Sequence, residues 1–173
     1  MTFARVRALV FVGVLLVVAA VVTLVVIGKD SQRSAEAGCP ADWPRADLTL
    51  PATRDIIVAV FNGTKDTSTS AAVAGDFRNR GFQVRPPAKN AKPEKVAGVA
   101  VLRHGPDAVG AAHVVRAYFL GKATLDYDAG RRGTQIDVVI GAKFQSLAQP
   151  TDVNIALADL GHPKIPAGAC ARD

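Results

Sequence analysis

Hydrophobic and polar positions divide this chain into four regimes. Residues 8–27 are apolar without interruption: they carry no charge, and Thr23 is their only polar side chain. At about 1.5 Å per residue such a run spans roughly 30 Å as a helix, the thickness of a hydrocarbon core, which predicts a membrane span over 8–28. Residues 29–54 are mixed and polar, and Pro40, Pro44 and Pro51 argue against a regular helix. They read as a juxtamembrane linker, with Trp43 expected to pack on the following domain near Cys39. Residues 55–142 alternate short apolar runs with helical stripes, the signature of a folded domain. Residues 143–173 form a Gly-, Pro- and Ala-rich extension. A short helix is expected at 151–160, capped by Thr151, with Val153, Ala156, Leu157 and Leu160 on one side and Gly161 as its stop.

Within 55–142 the elements can be placed one by one. Residues 56–61 are a continuous apolar run of strand-favouring types, which suits a strand covered on both faces. Asn62-Gly63 ends it, since both residues tolerate a tight turn. Asp66, Thr67 or Ser68 can cap a helix that buries Val73 and Phe77 at i, i+4. Gly81 supplies its left-handed stop, and 82–84 alternates as a second strand. Pro86-Pro87 and the lysines Lys89, Lys92 and Lys95 mark an exposed connection. Residues 96–102 return to a strand, Pro106 opens a helix, and Ala108, Ala111, Ala112, Val115 and Phe119 fall on one stripe. Gly121 closes that helix; strands at 123–127 and 136–140 flank a loop at 129–133. Strand-helix-strand thus occurs twice, followed by one more strand. The expected fold class is α+β: a small two-layer α/β sandwich of repeated β-α-β units, a mixed sheet with two helices on one face, of the ferredoxin-like type.

Charge orients the chain. Arg5 and Arg7 immediately precede the apolar run, so the positive-inside rule keeps the N-terminus (1–7) cytoplasmic and the domain outside. A cleaved secretory signal would use Ala35-Glu36-Ala37, but the run is longer than a secretory h-region and the site lies ten residues beyond Ile27. A lipoprotein would need an apolar run directly before its cysteine, and Cys39 follows Glu36-Ala37-Gly38. An uncleaved single-pass anchor is the expectation. The formal charge is +6; setting aside Arg5 and Arg7 leaves 19 basic against 15 acidic residues, +4. That mild excess suits either a solvated surface or anionic partners such as phospholipid head groups and acidic wall polymers.

Catalytic constellations are missing. There is no Gly-x-Ser-x-Gly elbow, no phosphate loop and no His-Glu-x-x-His. His104, His113 and His162 have no second ligand at metal spacing, so they read as turn or helix-surface residues and no metal or cofactor is expected. Asp126 and Asp128 at i, i+2 would share one strand face, but a domain of this size offers little room for a sugar-cleaving cleft. No enzyme is expected. The candidate binding groups are basic: Arg78, Arg80 and Arg85 near the end of the first helix and the next strand, and Arg131-Arg132 at a loop tip. The helix-end arginines also suit the negative pole of the helix dipole without any ligand. Nucleic acid is disfavoured, because aromatic stacking residues are sparse. Asn62-Gly63-Thr64 matches a glycosylation acceptor in form and is more simply a turn.

Two cysteines, Cys39 before the domain and Cys170 near the end, invite one bridge in an oxidising compartment. It would close a loop of about 130 residues, worth roughly 4–5 kcal/mol by chain-entropy arithmetic. A catalytic dithiol needs cysteines close in sequence, so this pair is structural, with two unpaired thiols as the alternative.

The same residues carry a likeness. A strand ending in Asn62-Gly63-Thr64, a small-residue helix, then Arg80-Gly81-Phe82-Gln83-Val84 resembles the LytR C-terminal domain family of actinobacterial envelope proteins, over roughly 55–142. The resemblance extends candidate binding roles to Asn62 and Thr64. In the wider LytR-CpsA-Psr family such a domain accompanies a catalytic phosphotransferase portion, which residues 55–142 do not include, so no phosphotransfer is expected. The resemblance implies a non-catalytic domain facing the wall that binds a cell-wall polymer or envelope-assembly proteins. The alternative is a docking adaptor of a membrane complex without polymer affinity.

Overall fold

The structure is a computed structural model that describes residue 13 and residues 16–18, 39–64, 66, 68–87 and 95–172. It divides into two compact units, residues 1–41 and 42–173. In the first, residues 13 and 16–18 are helical. The rest of the expected 8–28 span lies outside the described residues, among which no helix is long and apolar enough to cross a membrane.

In the second unit both expected strand-helix-strand repeats are present. The first is β2 (Ile57–Asn62), α1 (Thr69–Asn79) and β3 (Gln83–Arg85), which follow a two-residue strand β1 (Arg45–Ala46). The second is β4 (Ala100–His104), α2 (Val109–Ala117) and β5 (Thr124–Tyr127), with a single 3₁₀ turn at Pro106–Ala108 leading into α2. Then come β6 (Gln135–Ile140), α3 (Pro150–Leu160) and β7 (Cys170–Ala171). Gly81 takes φ +87° at the end of α1, a backbone value that a side chain would resist.

The main sheet has the order β3-β2-β6-β4-β5. This departs from the ferredoxin-like type: the strands of each repeat are direct parallel neighbours, and the last strand fills the centre. β6 runs parallel to β2 and antiparallel to β4, so the two repeats point in opposite directions on either side of it. The central place goes to the strand with the most buried residues, Ile136, Val138, Val139 and Ile140. Right-handed crossovers in two opposed repeats put both helices on the same face. Val58, Val60, Ala100, Leu102, Ile136, Val138 and Ile140 line that face beneath α1, α2 and α3. Phe77 is its centre, fully buried, with ring centroids 5.0 Å from Phe82, 6.2 Å from Tyr118 and 6.3 Å from Phe119.

Two expectations need correction. The apolar run at 56–61 led us to expect cover on both faces of its strand. The second face is covered only in part: Ala59 and Val139 are buried there, while Ile57 and Phe61 lie half-buried. The segment read as a linker is docked from residue 45 onward. β1 pairs in parallel with β7, and Ala46 packs fully buried against Val109 and Ala169. The Asp47 amide donates to Pro106 O at 2.8 Å, and Gly110 N donates back to Asp47 O at 2.8 Å. This strap explains why α2 is buried almost all round, beyond the single stripe its sequence showed. Trp43, expected to pack, is 42% exposed.

Candidate functional site

Side chains alternate across a strand, so residues 57, 59 and 61 of β2 point away from the core, as do 135, 137 and 139 of β6 and 101 and 103 of β4. Register then assembles them in rows. One row runs Arg85, Ala59, Asp137, Arg103, Asp126 across all five strands. Beside it lie Phe61, Val139 and Val101, an apolar row. The second face of the sheet therefore sets a charged row beside an apolar one, with Ala59 and Val139 buried within them.

The charged row is held by ion pairs. Arg103 Nε sits 3.2 Å from Asp126 Oδ2, with both side chains substantially exposed. Arg131 Nη2 sits 2.9 Å from Asp137 Oδ1, a more sheltered pair in which Asp137 keeps only 16% of its exposure. Gln135 Nε2 donates a further bond of 2.9 Å to the same oxygen. A sheltered, doubly bonded carboxylate fixes the loop arginine against the sheet, while Arg85 stays exposed at the β3 edge.

The expected basic cluster separates. Arg78 is exposed at the end of α1, in the helical layer. Arg80 is engaged within the fold: it donates to Ala148 O at 2.6 Å and lies 5.5 Å over the Tyr118 ring, a cation–π contact. Arg85 lies on the other side of the sheet, where it shares a face with Arg131; Arg132 is exposed in the adjoining loop. Asn62 and Thr64 bind their own turn. Asn62 Oδ1 accepts from Thr64 N (2.9 Å) and Oγ1 (2.8 Å), and Asn62 Nδ2 donates to Asp66 O. Asp66 in turn accepts from the Ser68 amide and from Thr69 Oγ1, and the Ser68 amide holds its carboxyl below the usual range.

Three residues of the row were missed by sequence reasoning in this role: Arg103, Asp126 and Asp137. Asp126 pairs across strands with Arg103, while Asp128 lies beyond β5 and accepts from Gly130 N at 2.8 Å, so the two carboxylates do not act together. The alternation Gln135-Ile136-Asp137-Val138 was the available signal, since polar residues at period two mark an uncovered face.

The histidine expectation also fails for two of three. His104 is 1% exposed at the end of β4, with Nδ1 3.1 Å from Leu102 O, and His113 is buried on α2. Burial pushes both imidazoles below their ordinary value of 6.5, and Arg116 adds to the effect at His113. Both cysteines are disulfide-bonded and neither is free. No group of three metal-ligating side chains occurs among the described residues.

Beyond the open face, the second feature is a cleft of about 410 Å³ between the end of α2 and the segment 143–149. A smaller one of about 220 Å³ lies between α2 and α3.

No curated protein sequence matches the chain. Among solved structures, its fold is similar to the soluble domain of a conserved hypothetical secreted protein from Mycobacterium marinum. That likeness has a TM-score of 0.53 at 22% identity and covers 76% of this chain and 83% of that one, and it is one of fold. A family profile, described as LytR cell envelope-related transcriptional attenuator, matches residues 55–144, from the turn before β2 to just past β6. Spanning just over half of the protein and all five strands of the main sheet, the match shows that the chain belongs to this LytR C-terminal domain family.

Proposed function

We propose that this protein is a non-catalytic envelope protein whose domain lies outside the cytoplasmic membrane, held there by a single N-terminal span over residues 8–28. Its domain binds a cell-wall component and so supports envelope integrity. Supporting the location are the family's envelope association, the secreted character of the structural neighbour, and the arginines before the apolar N-terminal run. The observation that carries the binding role is the second face of the five-stranded sheet, where Arg103 and Arg131 are ion-paired with Asp126 and Asp137 and Arg85 and Arg132 stand exposed. The exposed guanidinium groups of Arg85 and Arg132 offer cations and hydrogen-bond donors to an extended anionic polymer. The half-buried side chains of Phe61 and Val101 in the apolar row favour a second reading, docking of an envelope-assembly protein on the same face.

The test is sedimentation of the full chain, kept oxidised in a neutral detergent, with purified cell wall at low and high salt. Binding that weakens with salt and with Arg85→Ala/Arg132→Ala supports a wall-binding face. Absence of binding at either salt, with a stoichiometric protein partner recovered by cross-linking, transfers the role to protein docking.

A further inference from the structure

The 410 Å³ cleft lies in the helical layer, on the far side of the sheet from the charged row. Its walls are pinned. The segment 143–149 has neither helix nor strand, yet Lys143 N donates to Gly98 O at 3.0 Å and Ala148 N to Tyr118 O at 2.9 Å. Arg80 clamps the same end through Ala148 O, and Leu147, 3% exposed, is anchored in the core. Such a cleft exists before any ligand arrives, so little ordering cost attends binding.

The lining has a definite chemistry. Val99, Phe119 and Leu147 make an apolar floor, and Lys122, Lys143, Gln145, Ser146, Gln149 and Asp152 stand around it. Among the described residues neither lysine is ion-paired, and one carboxylate faces the two of them. Two exposed ammonium groups against one carboxylate leave the rim net positive, which suits an anion; the amides, the hydroxyl and the Asp152 carboxylate match a ligand that both donates and accepts hydrogen bonds. An apolar floor beneath a polar rim suits the C–H face of a ring. The volume lies within the range of small-molecule sites, about 300–1,000 Å³.

We infer that this cleft binds an acid-bearing sugar, a saccharide unit carrying a carboxylate, as a recognition subsite for the wall polymer. The inference rests on the wall-binding reading above and adds to it a named ligand class and a second location. Lys122 and Lys143 hold the acid group, Gln145, Gln149 and Asp152 take hydroxyl and amide groups, and the floor packs on the ring.

The test is a titration of the full chain in neutral detergent, followed by amide NMR shifts, with three probes: N-acetylmuramic acid, N-acetylglucosamine and lactate. These are the acid-bearing sugar, its neutral parent and the bare acid. Expected are shifts at residues 119–122 and 143–152 with the first probe, and binding weaker by about tenfold or more with either of the others. Lys122→Gln/Lys143→Gln removes the preference for the acid while leaving the rest of the spectrum in place. The inference is overturned by no shifts with the acid-bearing sugar, by equal response to lactate, by equal response to the neutral sugar, or by a preference that survives the double substitution. Wall sedimentation separates the two claims. Full-chain binding lost in Arg85→Ala/Arg132→Ala but unchanged in Lys122→Gln/Lys143→Gln keeps the wall reading and removes the cleft.

Discussion

Replacing Gly110 by alanine would put a Cβ 1.9 Å from the Thr49 carbonyl oxygen and 2.6 Å from its carbon. Both neighbours are backbone atoms of the strap, and Gly110 N also donates to Asp47 O, so neither side can yield alone. Gly75, by contrast, lies inside α1, where an added methyl group would meet nothing within 4 Å. Denaturant unfolding of the two variants should therefore differ in sign. Gly110→Ala should lose about 1–3 kcal/mol through overpacking, and Gly75→Ala should gain about 0.5–1 kcal/mol from reduced unfolded-state freedom. Equal effects would mean that the strap does not bear on α2. The arginines make a related point at this scale. Arg80 and Arg131 were indistinguishable as basic residues near element ends. One proves to be a clamp on a carbonyl and a ring, the other the partner of a sheltered carboxylate on the opposite side of the sheet.

Among the elements, α2 carries the clearest pH dependence, because it and β4 bury His113 and His104. Burial holds both imidazoles below 6.5, so the fold favours their neutral forms. Unfolded, they take up protons as pH falls through about 6.5, more readily than the folded chain does. Their contribution to stability is complete above that pH and is lost as pH falls below it. Thermal melting at pH 7.5 and 5.5 should show a lower midpoint at 5.5, and His113→Leu should flatten the slope. An unchanged slope in that variant would assign the acid sensitivity to His104 or to carboxylates such as Asp47, whose pKa is lowered by the Thr49 backbone amide. The helix itself was largely legible: Pro106, the stripe from Ala108 to Phe119 and Gly121 all took the expected places, with Gly121 at φ +73°. Its second buried side was not legible. Val109, Gly110 and Val114 are buried by the strap and neighbouring elements, contacts that local periodicity does not encode.

At the largest scale, the two end segments of the second unit meet. β1 pairs with β7, and Arg172 bridges Asp47, at 3.5 Å, and Asp107. These ion pairs are part-exposed and worth about 0–1 kcal/mol each. Cys39→Ser/Cys170→Ser, or reduction of the native chain, should lower the thermal midpoint. The loss should approach about 4–5 kcal/mol if the full loop-closure entropy applies. An unchanged melt on reduction would show that the strap holds without the covalent link.

From the sequence alone came the repeat of strand, helix and strand, the fifth strand, the closing helix, and the family to which the chain belongs with its extent near 55–142. Each depends on local quantities: apolar periodicity, turn residues and caps, read within a few residues of one another. Only the tertiary structure decided the sheet order, the central place of β6 and the docking of residues 45–49 on α2. It also decided which arginines share a face. Register joins Arg85, Asp137, Arg103 and Asp126, although Arg85 and Asp137 lie more than fifty positions apart in the chain. Pairing between distant strands depends on which edges the opposed repeats present to one another, and no local pattern carries that information.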